Sequence, residues 1–158
     1  MVLDMVDVIT VGTVALDSVK TPFGEVEETL GGSSVYASVA ASLFAQVGLV
    51  GVVGKDFPRR HLDFLREKGI DLAGLETAEG ETFRWKGYYE YDMNQAHTLD
   101  TRLNVLSQFN PKLPEAYRDC RYVFLANTDP EIQLNVYDQM RRPKLVMLDT
   151  MNFWIENK

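Results

Sequence analysis

Leu30-Gly31-Gly32-Ser33-Ser34 runs without a break into Val35-Tyr36-Ala37-Ser38-Val39-Ala40-Ala41-Ser42-Leu43, and this junction narrows the folds open to the chain. Two adjacent glycines leave no Cβ to block a left-handed turn or a close ligand. The segment after them reads as a helix of small residues, able to pack close against a sheet. A helix that opens on glycines offers free backbone N–H groups to a polar ligand. No Gly-x-Gly-Asp follows anywhere downstream. The chain therefore reads as the ligand-binding half of an enzyme whose chemical half is absent.

The elements around this junction alternate. Val6 to Gly12 is a β-branched run ending in glycine, suited to a strand buried on both faces. The stripe Val35, Val39 and Leu43 predicts a helix from Ser34 to about Gln46, and Val47 to Gly54 is a second apolar strand. Asp56 is placed to cap the next helix, Pro58 suits its first turn, and Gly69 ends it. Tyr122 to Ala126 and Lys144 to Leu148 read as further buried strands. Between them lies a helix over Gln133 to Met140, with Thr128 and Glu131 at capping-box spacing. A short helix is expected near Pro114–Arg118. Alternating strands and helices imply a mostly parallel sheet with helices on both faces.

Two segments break that rhythm. Pro22 to Thr29 is polar and alternating, like an exposed strand or hairpin. Thr82 to Met93 alternates strictly, with Phe83, Trp85, Gly87, Tyr89 and Tyr91 on one face and Arg84, Lys86, Tyr88, Glu90 and Asp92 on the other. Together they predict a small β flap of antiparallel character. Its aromatic face is suited to stacking on a ligand or to packing against a second copy in a homodimer. A chain that stops just past a strand leaves a sheet edge uncovered.

The 158 residues fit one domain. A net charge of −7 argues against a nucleic-acid surface, and the pairs Arg59-Arg60 and Arg141-Arg142 read as solvated helix faces. Cys120 is the single cysteine, which excludes an internal disulfide and suits a reducing cytoplasm. The start, Met1 to Asp7, has two acids and no basic segment, unlike a secretory signal. No apolar run reaches the length of a membrane span. His61 and His97 lack partners at metal-ligand spacing, so no metal site is expected.

Gly48 to Lys55 resembles a phosphate-binding loop only superficially, because Leu49 stands where its first glycine belongs and Asp56 where its Ser or Thr belongs. Gly12 likewise lacks the companions of a dinucleotide site. Asp17 follows the first strand at its C-terminal end, where open α/β sheets bind ligands, and a carboxylate there can accept two hydroxyl hydrogen bonds or simply shape a turn. Asp149 and Asn152, beyond a later strand, could reach the same rim.

In this order, the residues resemble the N-terminal half of the ribokinase-like (PfkB) carbohydrate kinases over essentially all of 1–158. The resemblance rests on Asp17 after the first strand, Gly31-Gly32 opening a small-residue helix, and Val50-Gly51-Val52-Val53-Gly54-Lys55-Asp56. A β lid near 22–29 and 82–93 follows, and then Leu148-Asp149-Thr150-Met151-Asn152-Phe153-Trp154. It implies a three-layer α/β sandwich with a mostly parallel sheet, a small β-strand lid and an absent C-terminal half. It also implies ATP-dependent phosphorylation of a small sugar or nucleoside hydroxyl by the intact enzyme, with ATP and Mg2+ held mainly by the absent half and not well by this chain alone. Asp17, Gly31 and Gly32 would contact the substrate. Arg84 would come down with the lid, and Lys55, Asp149 and Asn152 would border the site. The family usually places Asn where Tyr36 stands, so Tyr36 changes the pocket floor. The catalytic base is expected in the absent half. The alternative is a sugar- or nucleoside-binding or dimerising module without catalysis.

Overall fold

The computed structural model describes residues 6–158; most of the acidic start weighed above as a signal lies in residues 1–5, outside the described part. In chain order the elements are β1 (Val8–Val11), β2 (Ala15–Thr21), β3 (Gly24–Gly31), α1 (Ser33–Ala41), β4 (Val47–Gly54), α2 (Arg59–Glu67) and β5 (Asp71–Ala78). They continue as β6 (Arg84–Tyr89), β7 (Ala96–Arg102), β8 (Tyr122–Leu125), α3 (Pro130–Gln139), β9 (Leu145–Leu148) and α4 (Asn152–Asn157), with 3-10 turns at Asn104–Gln108 and Glu115–Tyr117.

Five strands form a parallel sheet in the order β5-β4-β1-β8-β9. Every position of β4 is buried, as expected for an apolar run covered on both faces. The pleat sorts its side chains. Leu49 and Val53 join Val35 of α1 and Leu65 of α2 in one core, whereas Val50 and Val52 join Phe109, Tyr117 and Val136 of α3 in the other. The expected three layers are therefore present. Small residues on α1 bring it close to the sheet: Ser38 is fully buried and its hydroxyl pairs with that of Thr10 on β1.

Several local expectations are corrected. Helix α1 stops at Ala41, and the chain turns through 42–45 so that Gln46 can receive the N–H groups of Asp7 and Val8. Leu43 and Phe44 are thereby left exposed rather than in the core. Asp56 does not cap α2, because extended Pro58 occupies the cap position and carries Asp56 out of reach of the first-turn N–H groups. The α3 cap is Asp129, not Thr128: Pro130 takes the first helical position, and Asp129 accepts a 2.9 Å hydrogen bond from Glu131 N–H. Strand β9 is not buried. It is one of the two edges of the sheet among the described residues, with Leu145, Met147 and Leu148 exposed.

The flap is a second, four-stranded sheet ordered β3-β2-β6-β7. Strands β2 and β3 form a hairpin, and β6 runs parallel to β2 and antiparallel to β7. The 82–93 segment is thus in mixed pairing rather than purely antiparallel. Asp17 lies on a strand of this sheet, not in a loop.

Candidate substrate site at the diglycine turn

The site is built at the C-terminal ends of β1 and β8, where the hairpin returns to the main sheet. Gly31 closes β3 opposite Ala15, and Gly32 follows in a left-handed conformation, φ 98°, as the cap residue of α1. No side chain caps this helix. Ser34 locks the turn by donating its hydroxyl to the Thr13 carbonyl at 2.6 Å, with its backbone N–H directed to the same oxygen. The two glycines are needed for close approach. A Cβ at Gly31 would overlap the Asp17 carboxylate, and one at Gly32 would overlap the Thr13 carbonyl. This brings Asp17, Gly31 and Gly32 together, as the family resemblance implies.

Burial pushes the Asp17 carboxyl up from 3.8 to about 6, and the nearby Gly32 N–H offsets only part of that. A half-buried carboxylate with so little compensation retains lone pairs for donors from outside the chain. Tyr36, in the first turn of α1, extends the site. Its ring is largely exposed, and burial of its hydroxyl, followed by the neighbouring Asp17 and Tyr89, raises its pKa. Tyr36 thus lies near enough to Asp17 and Tyr89 for their charges to bear on its hydroxyl. Within the lid sheet Asp17 is paired in register with Trp85, and side chains in register share a face.

The rim also contains groups that sequence reasoning missed. The Asn127 carbonyl accepts the Thr13 hydroxyl at 2.8 Å and the Ser33 hydroxyl at 3.4 Å, while its N–H donates to Asp149 Oδ2 at 3.3 Å. Asp149 is therefore linked to the diglycine turn through Asn127. The available signal was a polar residue just beyond each of two strands, Asn127 after β8 and Asp149 after β9. Asn152 lies at the exposed start of α4, and no described hydrogen bond joins its side chain to this rim.

Two predicted residues lie elsewhere. Arg84 is in register with Leu16, which puts it on the lid face opposite Asp17. Its guanidinium is engaged by Glu28 Oε1 at 3.0 Å, Asp56 Oδ2 at 2.7 Å and the Thr82 carbonyl at 3.2 Å. Asp56 Oδ1 also accepts the N–H and hydroxyl of buried Thr82, both at 2.8 Å. Burial alone would raise the Asp56 pKa, but the bonds from Thr82 and Arg84 outweigh it and hold it below the usual range. Arg84 thus ties the base of the lid to the end of β4. Lys55 forms an exposed ion pair with Glu79 and has no contact with the Asp17 cluster. A shallow concavity in the lid is lined by Arg84 and Trp85 together with Glu27, Glu28, Lys86, Asp100 and Arg102, whose charges offset one another.

Among the described residues no three metal-ligating side chains come together, and no helix is long and apolar enough to cross a membrane. No family model matches the chain. It is 26% identical over 145 residues to a cytidine kinase of Thermococcus kodakarensis, a match that covers 90% of this chain and 51% of that protein. Among solved structures, the nucleoside kinase of Methanocaldococcus jannaschii, described as an archaeal member of the ribokinase family, superposes with a TM-score of 0.68 at 22% identity, over 92% of this chain and 53% of that one. An E. coli protein assigned as ribokinase II, in complex with ATP and Mg2+, superposes with a TM-score of 0.62 at 15% identity, over 76% and 42%. The chain spans about half the length of the relatives it matches. Its fold is that of about half of a ribokinase-family protein, consistent with the N-terminal half.

Proposed function

We propose that the chain is the substrate-binding part, one domain over 1–158 with its lid, of a kinase that transfers the γ-phosphate of ATP to a hydroxyl of a small sugar or nucleoside. The observation that carries this reading is the Asp17 carboxylate held against Gly31 and Gly32 at the uncapped start of α1, beneath the aromatic face of the lid. Two hydroxyls of a polyol would satisfy a carboxylate that the protein leaves poorly compensated. Asp17 then orients the substrate, and the glycines let it approach the backbone. The names of the relatives support a nucleoside as the acceptor.

ATP and Mg2+ belong to this reading as cofactors. Their site belongs, on this reading, to the part of the relatives' length that this chain does not span. Exposed Phe23 and Tyr91, their rings tilted at 50° with centroids 5.5 Å apart at the lid tip, support a homodimer through the lid. The lone, buried Cys120 supports a cytoplasmic location. The test is γ-phosphate transfer by the complete protein that carries this chain, assayed with cytidine, uridine, ribose and fructose. Phosphorylated product from at least one is expected. No product from any, with well-folded protein, would overturn the reading.

A further inference from the structure

Strands β2 and β3 are not paired in a single register, and the change falls beside Asp17. From the turn the ladder runs Thr21–Gly24, Lys20–Glu25 and Val19–Val26, whereas at the base it runs Asp17–Thr29, Leu16–Leu30 and Ala15–Gly31. Ser18 is therefore faced by both Glu27 and Glu28, a β-bulge that gives β3 one residue more than its partner. Glu28 takes a left-handed backbone conformation, φ 47°, which strains a residue that carries a Cβ. Two contacts hold it there. Its N–H donates to Ser18 Oγ at 3.2 Å, and its carboxylate Oε1 accepts from Arg84 Nε at 3.0 Å. Arg84 also grips Asp56, just beyond β4, so the bulge is tied to the main sheet.

We propose that Glu28 is a positioning residue for the substrate carboxylate: its left-handed bulge sets the register that places Gly31, rather than Leu30, beside Asp17. This role rests on the substrate site proposed above. A slip of one residue in a ladder exchanges the two faces of a strand. Were the register of the turn to run unbroken to the base, Glu28 would stand opposite Asp17 and Leu30 opposite Ala15. Two carboxylates directly opposite repel. Leu30 would then take the place where even a Cβ overlaps the Asp17 carboxylate. The bulge absorbs the odd residue between Val26 and Thr29. It also turns the Glu28 carboxylate to the face of Leu16 and Ser18, away from Asp17, where Arg84 meets it. Glycine would take this φ freely, but only the glutamate adds the bond to Arg84 that keeps the bulge from moving along the strand.

The test compares three changes at position 28 in the complete protein that carries this chain, with cytidine and ribose binding followed by calorimetry. Glu28→Val favours an extended strand and should weaken both ligands by about tenfold or more, the loss of one hydrogen bond to a charged group. Glu28→Gly accepts the left-handed conformation and should stay within about threefold of wild type, the effect of losing a part-exposed ion pair. Deletion of Glu28 separates register from contact. With the odd residue gone, an unbroken ladder from the turn again pairs Asp17 with Thr29, so binding should match Glu28→Gly and not Glu28→Val. Cross-strand NMR contacts from Asp17 should reach Thr29 in wild type, Glu28→Gly and the deletion, and shift to position 28 in Glu28→Val. Equal weakening by all three changes, or wild-type affinity in Glu28→Val, would overturn the positioning role and leave the substrate site standing. A folded deletion protein weakened about tenfold would overturn it even if Glu28→Val does not fold. Folded wild-type protein that binds neither ligand would overturn both the positioning role and the substrate site.

Discussion

Replacing Asp17 by Asn removes a charge that folding places in an unfavourable setting while keeping the size and shape of the side chain. The folded carboxyl titrates near 6 against 3.8 in the unfolded chain. Between those values the folded protein holds a proton that the unfolded chain has lost, so this group makes stability fall as pH rises from about 4 to 6. Above 6 the full penalty is present, about 3 kcal/mol from the pKa difference. The Asn amide still needs partners in a half-buried place, which reduces the expected gain to about 2 kcal/mol. For a chain of this size that corresponds to a rise in Tm of about 4–8 °C. Thermal and urea unfolding at pH 4 and pH 8 measures it. Asp17→Asn should be more stable than wild type at pH 8 and nearly equal at pH 4, while losing sugar or nucleoside binding. A variant less stable at pH 8, or a difference independent of pH, would refute the reasoning that Asp17 is kept at a cost to the fold.

Gly32→Ala forces a side chain into a φ 98° conformation and onto the Thr13 carbonyl, so it should destabilise by at least about 2 kcal/mol and shift the urea midpoint down. Arg84→Gln breaks the tie among Glu28, Asp56 and Thr82; amide exchange in β6 and β7 should accelerate more than in β1 and β4, and uniform protection would contradict a role at the lid base. Phe23→Ser together with Tyr91→Ser should shift a dimer to monomer in sedimentation velocity, and a wild-type chain that is monomeric at high concentration would remove the lid dimer.

The parallel sheet was legible because β1, β4 and β8 are apolar runs bounded by glycine or polar residues, a pattern with few alternatives. Strand β2 was not, since Asp17 and Ser18 interrupt an alternation that the hairpin partner completes only in three dimensions. Strands β5 and β7 were missed because their polar residues lie on exposed edges, where no burial imposes a pattern. The grouping of Asp17 with the glycines was implied by the family resemblance, and the Asp17 carboxylate does lie against Gly31. The position of Arg84 was hidden by parity. It alternates with Trp85, so only the register of β6 on β2 decides which of the two shares a face with Asp17. Asp56 sits where a helix cap is common, but its partners, Thr82 and Arg84, come from 26 and 28 residues downstream. A one-dimensional reading has no means of ranking that pairing above a local cap.

Calorimetric titration of the chain with ribose and with cytidine, in wild type and in Asp17→Ala, tests the central claim most directly. Saturable binding by the wild type that disappears in a folded Asp17→Ala protein is the expected result. Binding that survives the substitution, or no binding by a well-folded wild type, would contradict a substrate site built on Asp17, Gly31 and Gly32.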